Sequence, residues 1–294
     1  MSTTTIAALV VIAVISFGLS YLGSAVGLVL GQLRVMLLVY VLGDVVVGTS
    51  TSLVISTCGT LAGVLPHLRG KRISPMLLLT IGAPSAIAAH LCARYATHAD
   101  PQVVKGLIAV VVFLAGLELL RGAKKIEEAS QKAPAEASRE EARGWFRELP
   151  RPVLIGLEIG VGIVLGAMSG VVGLLLGSLR LPAMVRLARV EPAVAVGTNM
   201  AIGAITGLAG GLGASVHGHV DLPTFFIVMP LTILGAHMGA KKAGTVDRGT
   251  LLRWMGYALI PTALLMMVES RFKPGQGPRR PRAAEVQATA RTGN

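Results

Sequence analysis

Charged residues are scarce in this sequence of 294 residues, because only 14% of them are Asp, Glu, Lys or Arg. A soluble domain carries about 25%, so most of this protein's surface does not face water. Apolar runs long enough to cross about 30 Å of hydrocarbon recur along the whole chain. They are continuous rather than alternating, which disfavours a β-barrel. The sequence therefore predicts an all-α polytopic membrane protein in contact with a lipid bilayer.

Aromatic residues and cysteines are also few. Aromatics make up 4%, which leaves few platforms for stacking bases. The net charge of +12 is concentrated in loops and tails, as in many membrane proteins, so we predict no nucleic-acid partner. Cys58 and Cys92 lie inside apolar runs and show no pairing or zinc spacing. A Gly-x4-Gly-Lys-Ser/Thr motif is missing as well, and we expect no metal, no cofactor and no ATP hydrolysis.

What the sequence does contain is a near-repeat. Val26–Arg34 and Val172–Arg180 match at seven of nine positions, and Gly48-Thr49-Ser50 is followed in the second half by Gly197-Thr198-Asn199. This predicts two homologous membrane repeats. We assign 1–121 to the first repeat, 122–151 to a polar linker, 152–270 to the second repeat and 271–294 to a basic, disordered tail.

The number of membrane crossings is harder to predict from the sequence than the repeats are. There are eight apolar runs, about four in each half, but each half opens with a long apolar stretch, at 5–43 and 152–190. Such a stretch is too long for one helix across the bilayer, whereas one span plus a returning half-helix fits. A second piece that crosses fully gives five spans and inverted repeats, and a re-entrant one gives four spans and parallel repeats. The sequence leaves both open, as it does a homo-oligomeric state.

Lys and Arg residues predict the orientation. With eight crossings and an inside N-terminus, the inside segments, which include the central linker and the tail, hold 17 of the 27 Lys and Arg residues. Cytoplasmic loops are enriched in these residues. We therefore expect both termini to be cytoplasmic.

The two Gly-Thr runs are the first candidates for a binding site. Gly48-Thr49-Ser50 and Gly197-Thr198-Asn199 each follow a break and open an apolar helix. A helix N-terminus offers free N–H groups and partial positive charge, and the Thr, Ser and Asn side chains add donors. Brought together near the membrane midplane, they would bind a small anion. Helix capping and close packing are the alternative explanation.

Arg34 and Arg180 end the repeated motif. An arginine facing lipid at the bilayer centre costs roughly 2.5–3.5 kcal/mol, so its occurrence in both halves needs a reason. One interpretation is an electropositive lining or gate for an anion. The other is snorkelling at a turn between two segments.

Four further residues are candidates for proton coupling or gating. Glu158 lies inside an apolar run and Asp44 at the break before Val45, while His67 and His217 each follow an apolar helix. Carboxylates and histidines in membranes carry protons in many transporters. An ordinary interfacial position is the alternative for the histidines.

The arrangement resembles the sulfite exporter TauE/SafE family, also called the toluene sulfonate uptake permease group. The resemblance rests on the duplicated opening motif, on Val47–Ser50 and Ala195–Asn199, and on His67–Gly70 and Gly218–Asp221. It implies a polytopic carrier of the bacterial inner membrane for sulfur-containing or organic anions, such as sulfite or a sulfonate, commonly working in export.

The chain departs from the family pattern at the opening motif. Its glycine run is thinned to two glycines in each half, and the proline that usually follows is kept as Pro182 but replaced by Met36. We therefore describe the chain as a divergent member of that family.

We accordingly expect a secondary transporter, an exporter of a small anion, that works by alternating access between two repeats. The chain could instead be a non-transporting membrane scaffold or assembly factor. An intramembrane hydrolase is disfavoured, because Ser215 and His217 are too close in sequence to face each other on one helix. We predict no catalytic residues.

Overall fold

The structure is a computed structural model that describes residues 3–26, 31–95, 100–131, 150–187, 190–215, 220–242 and 247–272. These residues form helices and no strand. In chain order the helices are α1 (Thr3–Val26), α2 (Gln32–Leu42), α3 (Val45–Arg69), α4 (Pro75–Tyr95, with a π-helical turn at Leu78–Gly82), α5 (Pro101–Gln131), α6 (Arg151–Val172), α7 (Gly177–Leu187), α8 (Pro192–Ser215), α9 (Leu222–Lys241) and α10 (Arg248–Phe272).

By length and composition, seven helices within the described ranges are suited to crossing a membrane. The prediction of an all-α polytopic membrane protein is confirmed. The most buried of the seven are α3 and α8, with 67% and 72% of their apolar window inside the protein, against 28–44% for the others. These two helices therefore form the centre of the bundle, and the remaining spans surround them.

The short helices α2 and α7 have 11 residues each. At 1.5 Å per residue an 11-residue helix rises about 16 Å, which is half of the hydrocarbon thickness. Each half of the chain thus opens with one full-length helix and one half-length helix. This division accounts for the long apolar stretch at the start of each half.

Close backbone contacts at glycines show that some helix pairs run parallel. A Cβ at Gly162 of α6 would lie 2.5 Å from the carbonyl oxygen of Ile81 in α4, and Gly170 meets Ala89 two turns further along both helices. On the other side of the bundle, Gly235 of α9 lies against Phe17 of α1. Glycines at such positions let two membrane helices approach closely.

Other pairs run antiparallel, and these pairs join matching places in the two halves. Between α3 and α8, Gly63 meets Met200 whereas Gly207 meets Thr57. Between α5 and α10, Gly116 meets Ile260 while Gly256 meets Leu120. Helices that hold the same place in the first and second halves therefore run in opposite directions. An origin by duplication stays a prediction.

One end of the bundle is marked by a small cavity lined by Val46, Ala93, Val104, Gly170 and Ala214. These residues lie at the start of α3 and α5 and at the end of α4, α6 and α8. Helix α10 is antiparallel to α5, so α10 ends at this face. Helices α1 and α3 are both parallel to α9, so α1 begins at this face as α3 does.

The connection between α5 and α6 therefore leaves from the opposite face. The sequence predicts the linker and both termini on one side, whereas in the structure α1 begins and α10 ends at the face opposite to the one where α5 ends and α6 begins. The reason is physical. Each half-length helix returns the chain to the face from which the preceding helix began. A count of the long apolar runs does not include this extra reversal.

Candidate functional site

The two half-length helices begin in the interior of the bundle and meet there. The Gln32 side chain at the start of α2 donates from Nε2 to Oγ of Ser178 at the start of α7, over 3.4 Å, and both residues are buried. In α2 the first helical hydrogen bond comes from the N–H of Val35 to the oxygen of Gly31. The N–H groups ahead of Val35 have no partner within the helix, so this end is electropositive.

Arg34 lies one turn into α2 and is 2% exposed. Its Nε donates to Oγ of Ser52 over 3.4 Å, and its Nη2 donates to the carbonyl oxygen of Ser52 over 3.3 Å and to Oγ of Ser56. The guanidinium folds back over the start of its own helix, since a Cβ at Gly31 would lie 3.2 Å from Nη2. The same Cβ would lie 2.9 Å from Oγ of Ser56, so Gly31 gives the guanidinium and this hydroxyl room at the helix end.

Arg180 holds the matching place in α7 and is 1% exposed. Its Nε donates to Oδ1 of Asn199 over 2.9 Å, and its Nη2 donates to the Asn199 carbonyl oxygen over 3.4 Å. Nδ2 of Asn199 in turn donates to the carbonyl oxygen of Gly177 over 3.2 Å. The amide of Asn199 thus ties the guanidinium to the start of α7.

No carboxylate pairs with either arginine in the described part of the chain, where the ion pairs are Lys124–Glu128 and Arg253–Glu127, both at the surface. Two buried positive charges therefore lie at two electropositive helix ends. A buried charge without a counterion is costly, and a bound anion would compensate it. Burial inside the bundle is not what the snorkelling interpretation of Arg34 and Arg180 predicts.

A cavity adjoins Arg34. It is bounded by hydroxyl-bearing residues on three helices, α1, α3 and α9, and by Arg34 with Gly31 at the start of α2. Its polar lining consists of Ser20, Ser24, Arg34, Ser56, Thr60 and Thr232. The space is just large enough for a water molecule, so a larger ligand requires it to widen.

The two Gly-Thr runs, in contrast, are not brought together. Gly48 packs against Val39 of α2, and Thr49 donates its hydroxyl to the carbonyl oxygen of Val45 over 2.8 Å. Gly197 packs against Arg72 at the other face. The runs lie near the N-termini of antiparallel helices, so they sit at opposite ends of the bundle.

Equivalent contacts show which residues of α3 and α8 correspond. Oγ1 of Thr198 accepts the N–H of Ser74 over 2.9 Å, and Oγ1 of Thr51 accepts the N–H of Asp221 over 2.9 Å. Ser52 accepts from Arg34 as Asn199 does from Arg180. The structural counterparts of Thr198 and Asn199 are therefore Thr51 and Ser52, not Thr49 and Ser50.

Sequence reasoning missed four residues of this region, namely Gln32, Ser52, Ser56 and Ser178. One signal was available. Ser52 lies 18 residues after Arg34, and Asn199 lies 19 residues after Arg180. Because the two spacings differ by one residue and an equal count from Arg34 reaches Leu53, the spacing points to this part of α3 but does not fix the register.

The candidate proton-coupling residues are spread across the bundle. Asp44 caps α3 by accepting the N–H groups of Val46 and Val47 over 2.8 and 3.1 Å. Glu158 is 4% exposed on α6, and His67 is 3% exposed near the end of α3, where it adjoins Gly197. His217, the fourth candidate, lies outside the described residues. The hydrolase alternative involves His217 and Ser215, and the side chain of Ser215 is not described either.

Comparisons with known proteins agree with a transport role. Residues 9–282 match the family described as sulfite exporter TauE/SafE. A probable membrane transporter protein from Bacillus subtilis (strain 168), YunE, is 29% identical over 114 residues, which is 39% of this chain and 42% of the relative. The alignment thus spans less than half of that relative. No solved structure matches the chain.

Proposed function

This chain belongs to the sulfite exporter TauE/SafE family, and we propose that it is a secondary transporter that exports a small sulfur-containing or organic anion, such as sulfite or a sulfonate. One observation carries the proposal. Two buried arginines, which no carboxylate of the described residues pairs with, lie at the meeting N-termini of two interior half-helices, α2 and α7. Many transporters bind anionic groups at such broken helices near the midplane.

The opposed directions of the two halves support alternating access as the mechanism. In this proposal one half rocks against the other, and the anion reaches the helix ends first from one face and then from the other. The cavity beside Arg34 is just large enough for a water molecule, so in this proposal it widens when the anion binds. Arg34 and Arg180 supply the positive charge at the two helix ends in this scheme, while Gly48, Thr49, Gly197 and Thr198 take part in packing and hydrogen bonding of the surrounding helices.

We also propose that the linker face is cytoplasmic, with both chain ends on the other side. The connections at the linker face hold three Lys or Arg residues at 69–72, eight at 121–151, two at 186–189 and four at 241–253, against eight at the face of the chain ends. The positive-inside rule then favours the linker face. This reverses the orientation expected from the sequence, because that count placed the linker and the tail together.

Flux through purified protein in liposomes tests the transport proposal. We expect saturable movement of sulfite, thiosulfate, a sulfonate or a small carboxylate, well above that of protein-free liposomes. The double variant Arg34→Gln/Arg180→Gln, inserted to the same level, should lose this flux. If folded wild-type protein moves none of these anions, the scaffold alternative gains and the transport proposal fails.

Fusions of alkaline phosphatase, which folds actively only outside the cytoplasm, test the orientation. We expect an active fusion after Asn294 and an inactive one within the linker. The reverse pattern would overturn the proposed orientation without affecting the proposed transport.

A further inference from the structure

We propose that the two buried arginines have different roles, and that the anion binds at Arg34 alone. In this inference, which rests on the proposed function, the binding site consists of the Arg34 guanidinium, the hydroxyls of Ser20, Ser24 and Ser56, and the free N–H groups at the start of α2. Arg180 is a fixed structural charge. We name these first-half groups the Arg34 pocket.

Hydrogen bonding separates the two arginines. Arg180 donates hydrogen bonds to the side-chain and backbone oxygens of Asn199, and Nδ2 of Asn199 donates to the carbonyl oxygen of Gly177. A Cβ at Gly177 would lie 2.9 Å from that Nδ2, so the amide fills the space at the start of α7. Arg34 meets only serine oxygens, and the cavity opens beside it.

Packing separates them as well. Ser20 and Ser24 on α1 line the Arg34 pocket, and the repeated motif aligns them with Gly166 and Gly170 on α6. A Cβ at either glycine would overlap a backbone carbonyl oxygen of α4. The backbone of α4 therefore lies against α6 at the positions where the serines of α1 line the pocket in the first half.

The donors of the Arg34 pocket indicate what it binds. Oγ of Ser56 accepts from Arg34 and keeps its own proton for an anion, and Ser20 and Ser24 face the same space. Thr60 and Thr232 donate to carbonyl oxygens of their own helices, over 3.0 and 2.9 Å, so they shape the wall. The hydroxyls suit a small oxyanion whose oxygens all need donors, and the small space, whose wall Met200 and Ala236 complete, suits such an anion better than an aromatic group.

Binding of sulfite to the purified full-length protein, followed by calorimetry, tests this site. Ser56→Ala should weaken binding about tenfold, the usual effect of losing one hydrogen bond to a charged ligand, and Arg34→Gln should weaken it further. Ser85→Ala is the matched control. It removes a buried hydroxyl on α4 that forms a 3.0 Å hydrogen bond with Thr206 of α8, away from the Arg34 pocket. Because this hydroxyl does not line the pocket, the variant should bind sulfite with an affinity within about twofold of wild type.

Two outcomes would overturn the inference while leaving transport intact. One is equal affinity in Ser56→Ala and Ser85→Ala. The other is a loss on Arg180→Lys as large as that on Arg34→Lys. Benzenesulfonate should compete at least tenfold more weakly than sulfite, and equal competition would contradict the small-oxyanion specificity. Wild-type protein that binds none of the tested anions would instead contradict the proposed function itself. Ser56→Ala keeps the test valid if Arg34→Gln does not fold.

Discussion

The surroundings of Arg34 and of Arg180 differ although both arginines end the same repeated motif. Each lies one turn into an 11-residue helix and is at most 2% exposed. Beside Arg34 there are serines and a cavity, whereas beside Arg180 there are Asn199 and close helix packing. A shared motif therefore places the charge, and residues on neighbouring helices determine whether a ligand can reach it.

Glycine placement explains the difference in space. In the second half the glycines lie on α6, the counterpart of α1, and bring α4 against it. In the first half the close contact of α1 with α9 uses Gly235 and Gly239 on α9, which meet Phe17 and Tyr21. The serine-bearing side of α1 is left free to line the Arg34 pocket.

The largest effect on stability is expected at the close contact between α6 and α4. Gly166→Ala places a methyl group on the backbone oxygen of Ser85, which cannot move without shifting α4. Overpacking of this kind lowers the free energy of unfolding by about 1–3 kcal/mol. Thermal unfolding of the purified protein measures it. Gly160→Ala on the same helix is the control, because its Cβ would meet nothing within 4 Å. Equal melting temperatures in the two variants would contradict this account of the packing.

Removing the charges one at a time should give effects of different size. Arg34→Met removes a buried charge that has no acid partner, so in anion-free buffer it should raise the melting temperature. Arg180→Met removes a buried charge of the same kind but also breaks the 2.9 Å bond to Oδ1 of Asn199, at a cost of about 1–3 kcal/mol, so its melting temperature should lie below that of Arg34→Met. Sulfite should stabilise the Arg180→Met protein but not the Arg34→Met protein. Melting temperatures that fall equally in both variants would show that the two arginines are equivalent.

Several of these features could be predicted from the sequence alone. Apolar runs predicted the long helices, and the repeated motif located both arginines, since burial and a short helical break follow from local composition. The direction of the half-length helices and the side of the linker could not be read, because both depend on how the chain turns back inside the bundle.

The sequence alone also could not determine which residues of α3 correspond to which residues of α8. The run Gly48-Thr49-Ser50-Thr51-Ser52 offers two Thr-Ser pairs that match Thr198-Asn199 equally well. Only tertiary hydrogen bonds from Asp221 and Arg34 select the second pair. Near-identical small residues in a membrane helix thus leave a register open that contacts between helices then fix.

The smallest expected effect comes from making the first half resemble the second. Ser52→Asn puts an amide where Asn199 stands in the other half, and its oxygen should hold Nε of Arg34 more firmly than the 3.4 Å contact to serine does. The guanidinium is then less free to turn to an anion, and we expect sulfite affinity to fall about threefold, less than a full hydrogen bond is worth. Asn199→Ser should not reduce affinity, because Arg180 does not bind the anion in our proposal. If Asn199→Ser weakens binding while Ser52→Asn leaves it unchanged, the roles of the two arginines are the reverse of those proposed.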